Sequence, residues 1–412
     1  MGAPSFRPVF PIQRRTTSRW APVCTSVWGT TRLRRSVPYR PSMAWRVRPV
    51  TFPSPGSSRF PDKPSVWSAL LCWSQAPAPS AAYRYLYPVG PMSSLAGQSW
   101  RARLRTEEFL FLLLFIPSSI VTVWANYDLY AGGVDSRRIQ GGLLRLAIVV
   151  LLAMIVPTLD RWRHRLPYGT GRSTVDFFRT FLPFVFCVAV YTNLHDTVRW
   201  INPNDIHGQL MQLEQWLFGF QPVVWAEQFI TPARTEFFSF FYTNFFALTV
   251  AVSSVLWALG RRQQSRETLL GIVVCFYSGY ILYLIFPAAP PRLYYEAMGM
   301  FSVDLGGGAI ASFQNALIAL MPNEASRAAF PSLHTAVSFV VLGYAWKFCR
   351  WLFPILLVFV LGLLVSTVYL RHHYVVDLIA GAMMIPWVFW VTPRIDRWWN
   401  RSARPYDLGE RP

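Results

Sequence analysis

RRQQSRETLLGIVVCFYSGYILYLIFPAAPPRLYYE, residues Arg261–Glu296, decides the fold. It begins on an Arg-rich polar segment, continues as an apolar run centred near Val274, and stops where prolines end the helix and present Arg292. The run has the length that a helix rising about 1.5 Å per residue needs to cross roughly 30 Å of hydrocarbon. Outward from it, apolar runs of roughly 17 to 23 residues recur from about residue 109 onward. The others are centred near Ile116, Val150, Phe184, Leu248, Val340, Phe359 and Met383. The pattern predicts an all-α polytopic membrane helical bundle of about eight transmembrane helices.

The connections alternate in character. Trp100–Glu108, Asp160–Arg172, Arg261–Glu267, the join at Lys347 and Arg350, and the tail from Arg394 are rich in Arg, which assigns them to the cytoplasm. The intervening connections then face outward, and they include His195–Thr235, Pro287–Phe330 and the short turn Arg371–Tyr374. In the first of these, Leu210–Ile230 mixes apolar and polar residues in a spacing suited to an interfacial helix, whether as the lip of a lipid entrance or as a plain amphipathic connector.

Composition agrees with a membrane protein. Of 412 residues, 53% are hydrophobic and only 14% charged, too little charge for a soluble surface. The net charge of +19 is unevenly spread, because residues 1–91 hold thirteen basic residues against the single acid Asp62. This tract is rich in Pro, Arg, Ser and Trp, and is expected to be disordered. It shows no nucleic-acid-binding motif, so a nucleic-acid partner is not expected. Met92 opens a more ordinary beginning and is the expected start of translation, with a basic tail on anionic lipid as the alternative for residues 1–91. The five cysteines show no metal spacing and no disulfide framework.

Ionisable groups at membrane depth are costly and mark functional sites. They gather at three outward positions: FPAAPPRLYYE (Phe286–Glu296), AFPSLHTAVS (Ala329–Ser338) and STVYLRHHYVVDLIAG (Ser366–Gly381). In the third, Asp377 follows His373 by four residues and shares its helix face. A carboxylate there fixes the imidazole tautomer and leaves the other nitrogen as a nucleophile, unless the pair is merely structural. His372 points elsewhere and reads as a rim or packing residue. In the second, Pro331 suits a first helical turn, so that the N–H groups of Ser332 and Leu333 would meet a phosphate oxygen and His334 would serve as general acid. Arg292 and Arg371 offer planar forks for phosphate, with lipid headgroups as the competing partner.

These residues resemble the type-2 phosphatidic acid phosphatase superfamily, whose motifs take the forms K-x6-R-P, P-S-G-H and S-R-x5-H-x3-D. The likeness is greatest to the inositol phosphorylceramide synthase-like branch, whose middle motif reads PSLH, whose last reads HHYxVD, and whose characteristic earlier segment is similar to LMQLEQWLFGFQPVVW (Leu210–Trp225). The resemblance covers roughly residues 193–393. It implies a six-helix lipid phosphatase or phosphotransferase core at 176–396, with an accessory helix pair at 92–175 and a tail at 397–412. It further implies that His373 attacks phosphorus to form a phosphohistidine, that Asp377 orients it, and that His334 protonates the leaving group. No metal and no cofactor are implied.

The sequence departs from the family pattern at four positions. Ile285 stands for the first motif's Lys, Leu293 for its Pro, Leu333 for Gly and Thr367 for Arg. A pocket with fewer cations fits a diester better than a monoester, which carries nearly two charges. Headgroup transfer from a phospholipid is therefore expected, at the outer face of the plasma (cell inner) membrane. The alternatives are a lipid-phosphate or polyprenyl-diphosphate phosphatase, a proton-coupled transporter using the intramembrane His and Asp, and a metal site at His334, His372, His373 and Asp377.

Overall fold

The computed structural model describes residues 104–400 apart from 132–145, scattered positions between 148 and 169, and 320–326. The expectations for residues 1–91, for Met92 and for the tail beyond 400 lie outside these. The described chain is helical: α1 (Thr106–Ala131), α2 (Thr170–Ile201), α3 (His207–Phe218), α4 (Pro232–Thr243), α5 (Phe245–Ala258), α6 (Arg262–Ile285), α7 (Pro291–Ala297), α8 (Ala309–Ala319), α9 (Leu333–Phe348), α10 (Phe353–Tyr369) and α11 (Val375–Asn400). Between α3 and α4 the chain makes a short helical turn, Pro222–Trp225, continued by a 3-10 turn, Ala226–Phe229.

Helix α9 is the central post, packing against α5, α6, α10 and α11. Its apolar side chains Ala336, Val337, Val340 and Val341 are fully buried, together with Ile272, Val273 and Cys275 of α6 and Val388 of α11. Small residues let the helices approach. A Cβ on Gly381 would lie 2.4 Å from the Ser332 carbonyl, so α11 meets the start of α9 backbone to backbone. On the outside the polarity is inverted relative to a soluble protein. Ile355, Val358, Leu361 and Val365 form one exposed apolar face of α10, and Met383, Trp387 and Trp390 do the same on α11. Such surfaces belong in lipid.

Four helices are long and apolar enough to cross a membrane, or five if the pair α4 and α5, bent by 40° at Asn244, is one span. The expectation of eight is therefore not met among the described residues. The run near Val150 falls in the partly described stretch. The runs near Val340 and Phe359 form helices of only 16 and 17 residues. Their ends are set by polar structure: Ser332 caps α9 by accepting from the Thr335 N–H, and α10 stops just before Arg371, which sits at φ 64°. At about 1.5 Å per residue, 16 residues give only about 24 Å.

The other end of the long helices is held by buried charge. Arg179 of α2 grips Glu108 of α1 with Nε at 2.7 Å and Nη2 at 3.0 Å. Arg266 of α6 takes Glu107 of α1 and Asp396 of α11, at 2.8 and 3.0 Å. This network joins α1, α2, α6 and α11 at the ends next to the Arg-rich connections. The histidine motifs stand at the opposite ends, separated on α11 by the rise from Asp377 to Asp396, about 28 Å.

Candidate active site

Main-chain hydrogen bonds tie the three motif segments to one another in pairs. Arg292 N–H donates to the Arg371 carbonyl at 2.8 Å, Ala329 N–H to Ala288 at 3.1 Å, and Ser332 N–H to Asp377 at 3.0 Å. An isolated parallel bridge, Ala288 to Ala328, completes the contact of the first two. The turn after α10 is wound around the Thr367 carbonyl, which accepts from His372 N–H at 2.8 Å and His373 N–H at 3.1 Å. Residues nearly ninety positions apart thus present their side chains to a single cleft.

The two imidazoles touch. His334 Nδ1 and His373 Nε2 are 3.0 Å apart, and His373 Nδ1 is 3.2 Å from Asp377 Oδ2. The carboxylate fixes the direction of these bonds. His373 Nδ1–H donates to Asp377, its Nε2 carries the lone pair, and His334 Nδ1–H donates to that lone pair. Asp377 is fully buried and is itself fixed by accepting from the Tyr374 N–H at 3.0 Å. Burial pushes His373, in the turn ahead of α11, down to about 3, so its nitrogen is neutral and available. Arg292, His334, His372, His373 and Leu333 all line the cleft, with Tyr191, Tyr242 and Gln314.

Two expected phosphate ligands are not brought there. Ser332 is buried, its N–H is spent on Asp377 and its hydroxyl caps α9, so it is a cap and not an anion donor. Pro331 precedes the cap instead of opening the helix, which shifts the free turn by a residue. Arg371 does not line the cleft. Its Nη2 meets Glu227 Oε1 at 2.6 Å and also bonds the Val303 carbonyl, and its guanidinium lies 3.9 Å over the Phe301 ring. His372, expected as a rim or packing residue, stacks on Tyr242 with ring centroids 4.2 Å apart and reaches Gln314 Nε2 at 3.0 Å.

Residues that sequence reasoning passed over support this arrangement. Glu214 of α3 is fully buried and accepts from the N–H groups of Val375, at 2.5 Å, and Val376, at 3.4 Å. It caps the start of α11 two residues from Asp377, so the amphipathic segment is joined to the site instead of merely lying beside it. Glu236 of α4 accepts from Gly308, Ile310 and Ala311 N–H groups and holds the start of α8, whose Gln314, Leu317 and Ile318 line the cleft. The single carboxylate of the amphipathic α3 was the available signal for Glu214; Gln314 had none. Among the described residues, no group of three or more His, Cys, Asp or Glu is arranged to hold a metal ion.

Parts of this sequence are similar to known proteins. The family model described as the PAP2 superfamily matches residues 208–391, which span every motif above. The chain is 32% identical over 152 residues to the inositol phosphorylceramide synthase catalytic subunit of Saccharomyces cerevisiae, covering 32% of this chain and 38% of that protein. It is 34% identical over 121 residues to the inositol phosphorylceramide synthase of Candida albicans, covering 27% of this chain and 26% of that protein. The matches therefore span well under half the length of either relative. No solved structure gives a significant match.

Proposed function

We infer from the match of residues 208–391 to the PAP2 superfamily, and from their similarity to inositol phosphorylceramide synthases, that this integral membrane protein is a lipid phosphotransferase of that branch. The observation that carries the reading is the contact of His334 Nδ1 with His373 Nε2 at 3.0 Å, with Asp377 behind His373. A phosphoryl group that displaces this hydrogen bond meets the lone pair of His373 on one side, and the proton of His334 is left to reach the leaving oxygen on the other. In the first half-reaction, His373 Nε2 bonds to phosphorus as the phosphorus–oxygen bond to the leaving lipid alcohol breaks. His334, charged once the phosphate anion is bound, gives its proton to that oxygen. In the second, an acceptor hydroxyl returns its proton to His334, bonds to phosphorus and frees His373. Arg292 faces the phosphoryl oxygens.

The charge inventory favours a diester donor. Ile285 and Thr367 supply no cation, and Arg371, the group that would have restored one, is engaged by Glu227. The relatives' names point to phosphoinositol as the transferred group and ceramide as the acceptor. A phosphatase of the same fold remains the competing reading. The basic ends of α6, α9 and α11 support an extracytoplasmic position for the histidines, here taken as that of the plasma (cell inner) membrane.

Purified protein in liposomes, given phosphatidylinositol labelled in its headgroup phosphate together with ceramide, should yield labelled inositol phosphorylceramide. Acid-labile, base-stable label should be trapped on the protein and be lost in His373→Ala, with turnover down at least about a thousandfold. Free phosphate from a phosphatidate, released at a rate indifferent to added lipid alcohol, would instead establish the phosphatase. Labelling of Ser302→Cys by a membrane-impermeant maleimide in intact cells checks the face.

A further inference from the structure

The four groups above leave one buried polar pair of the same cleft without a task. Gln314 is 4% exposed and His372 7%, and both line the cleft beside the histidine and Arg292. Gln314 Nε2 lies 3.0 Å from His372 Nε2, while Gln314 Oε1 is buried with no hydrogen-bond partner. The pair is held stiffly. His372 is stacked on Tyr242, and α8, which carries Gln314, is pinned through Glu236 at its first turn. Burying an amide and leaving one end unsatisfied is costly unless a ligand completes it.

The chemistry of the missing partner follows from the pair. Neither side chain is a cation, so it is poorly suited to a phosphate, which Arg292 already faces. An amide end needs a neutral group of matching polarity, and a hydroxyl, which both donates and accepts, satisfies either end. The surrounding wall is apolar, with Leu317 and Ile318 on the same helix. We propose that Gln314 and His372 form a hydroxyl-binding subsite next to the phosphoryl site, holding an alcohol hydroxyl of the substrate. The proposal rests on the phosphotransfer reading and deepens it. The hydroxyl comes from one of two sources, a polyol headgroup on the donor or the lipid alcohol that accepts the phosphoryl group.

Full-length wild type, Gln314→Leu and Gln314→Glu, each checked for unchanged thermal unfolding without ligand, separate these sources. One arm measures the affinity of the detergent-purified protein for myo-inositol 1-phosphate against inorganic phosphate. The other measures the partition of phosphatidylinositol turnover between ceramide and water. Gln314→Leu should lose about tenfold in one arm: in the affinity ratio if the hydroxyl is the headgroup's, in the partition ratio if it is the acceptor's. Gln314→Glu, which keeps an acceptor oxygen, should recover part of the loss. If Gln314→Leu leaves both ratios unchanged, or lowers all affinities and rates equally, the subsite is overturned. A wild type that binds inositol phosphate with the Gln314-dependent preference, yet forms no phosphohistidine and transfers nothing, overturns the phosphotransfer reading and leaves the subsite standing.

Discussion

Arg371 shows how a residue type read correctly as chemistry can be spent on architecture. A non-glycine residue at φ 64° pays a conformational cost that its surroundings must offset. Here the offset comes from Glu227, the Val303 carbonyl and the Phe301 face, all on loops that precede the turn. The guanidinium thus holds the bend that aims His372 and His373 into the cleft. Arg371→Ala should lower the thermal stability of the ligand-free protein by about 1–3 kcal/mol, by removing the guanidinium that holds the strained turn to Glu227, Val303 and Phe301. A phosphate-binding role predicts the reverse pattern, a raised KM with unchanged unfolding, and the two measurements together decide it. The juxtaposition of His373, Asp377 and His334 was legible because it follows from their spacing along a helix or at its start. Gln314 was not, since a polar residue in an amphipathic segment between two loops has the same pattern whether it faces water or a cleft.

At the scale of single helices, α3 is the instructive case. Its sequence gives an amphipathic helix suited to an interface, and that much is observed, but its one carboxylate is turned inward to cap α11. Burial pushes Glu214 up to about 7, with its hydrogen bonds from Val375 and Val376 opposing the shift. An acid whose folded value is raised binds its proton more tightly in the native state. Its stabilising effect is therefore complete below the ordinary glutamate value, and is lost as pH rises toward about 7. Glu214→Gln keeps an oxygen to accept both N–H groups and should flatten the dependence of unfolding temperature on pH across that window. Glu214→Ala leaves two N–H groups without a partner and should lower stability by about 1–3 kcal/mol at every pH. A pH profile identical in wild type and the Gln variant would refute the assignment. Helix boundaries were less legible than helix existence. The apolar runs near Val340 and Phe359 counted as full spans because hydropathy averages over a window, whereas the chain ends them at a serine cap and at a strained turn.

For the molecule as a whole, the buried charges are sorted to two ends. Sequence patterning gave an all-helical membrane bundle and the relative sides of its loops, because long apolar runs and Arg placement are properties of composition. It did not give the ionic network, because pairing Glu107, Glu108, Arg179, Arg266 and Asp396 depends on helices that are far apart in sequence. That network fastens α1 and α2 to α6 and α11, each carboxylate lying against a guanidinium. Glu108→Gln breaks one partner of a buried pair and should cost about 3–5 kcal/mol in thermal unfolding. The proposed transfer at the histidines, about 28 Å away, should keep its rate in the fraction that remains folded. Equal losses of rate per folded molecule would mean that the two ends are coupled.

The frame around the histidines consists of peptide groups: Arg292 N–H on Arg371, Ala329 on Ala288, Ser332 on Asp377, and the Thr367 carbonyl under two successive amides. Peptide groups are the same in every sequence. The displayed side chains can therefore differ while the scaffold that displays them does not, and a change of side chain at Ile285 or Thr367 leaves these main-chain bonds in place. Substrate range in such a protein is an inheritable variable set by a few surface-lining substitutions, and the place to look for it is the wall of the cleft.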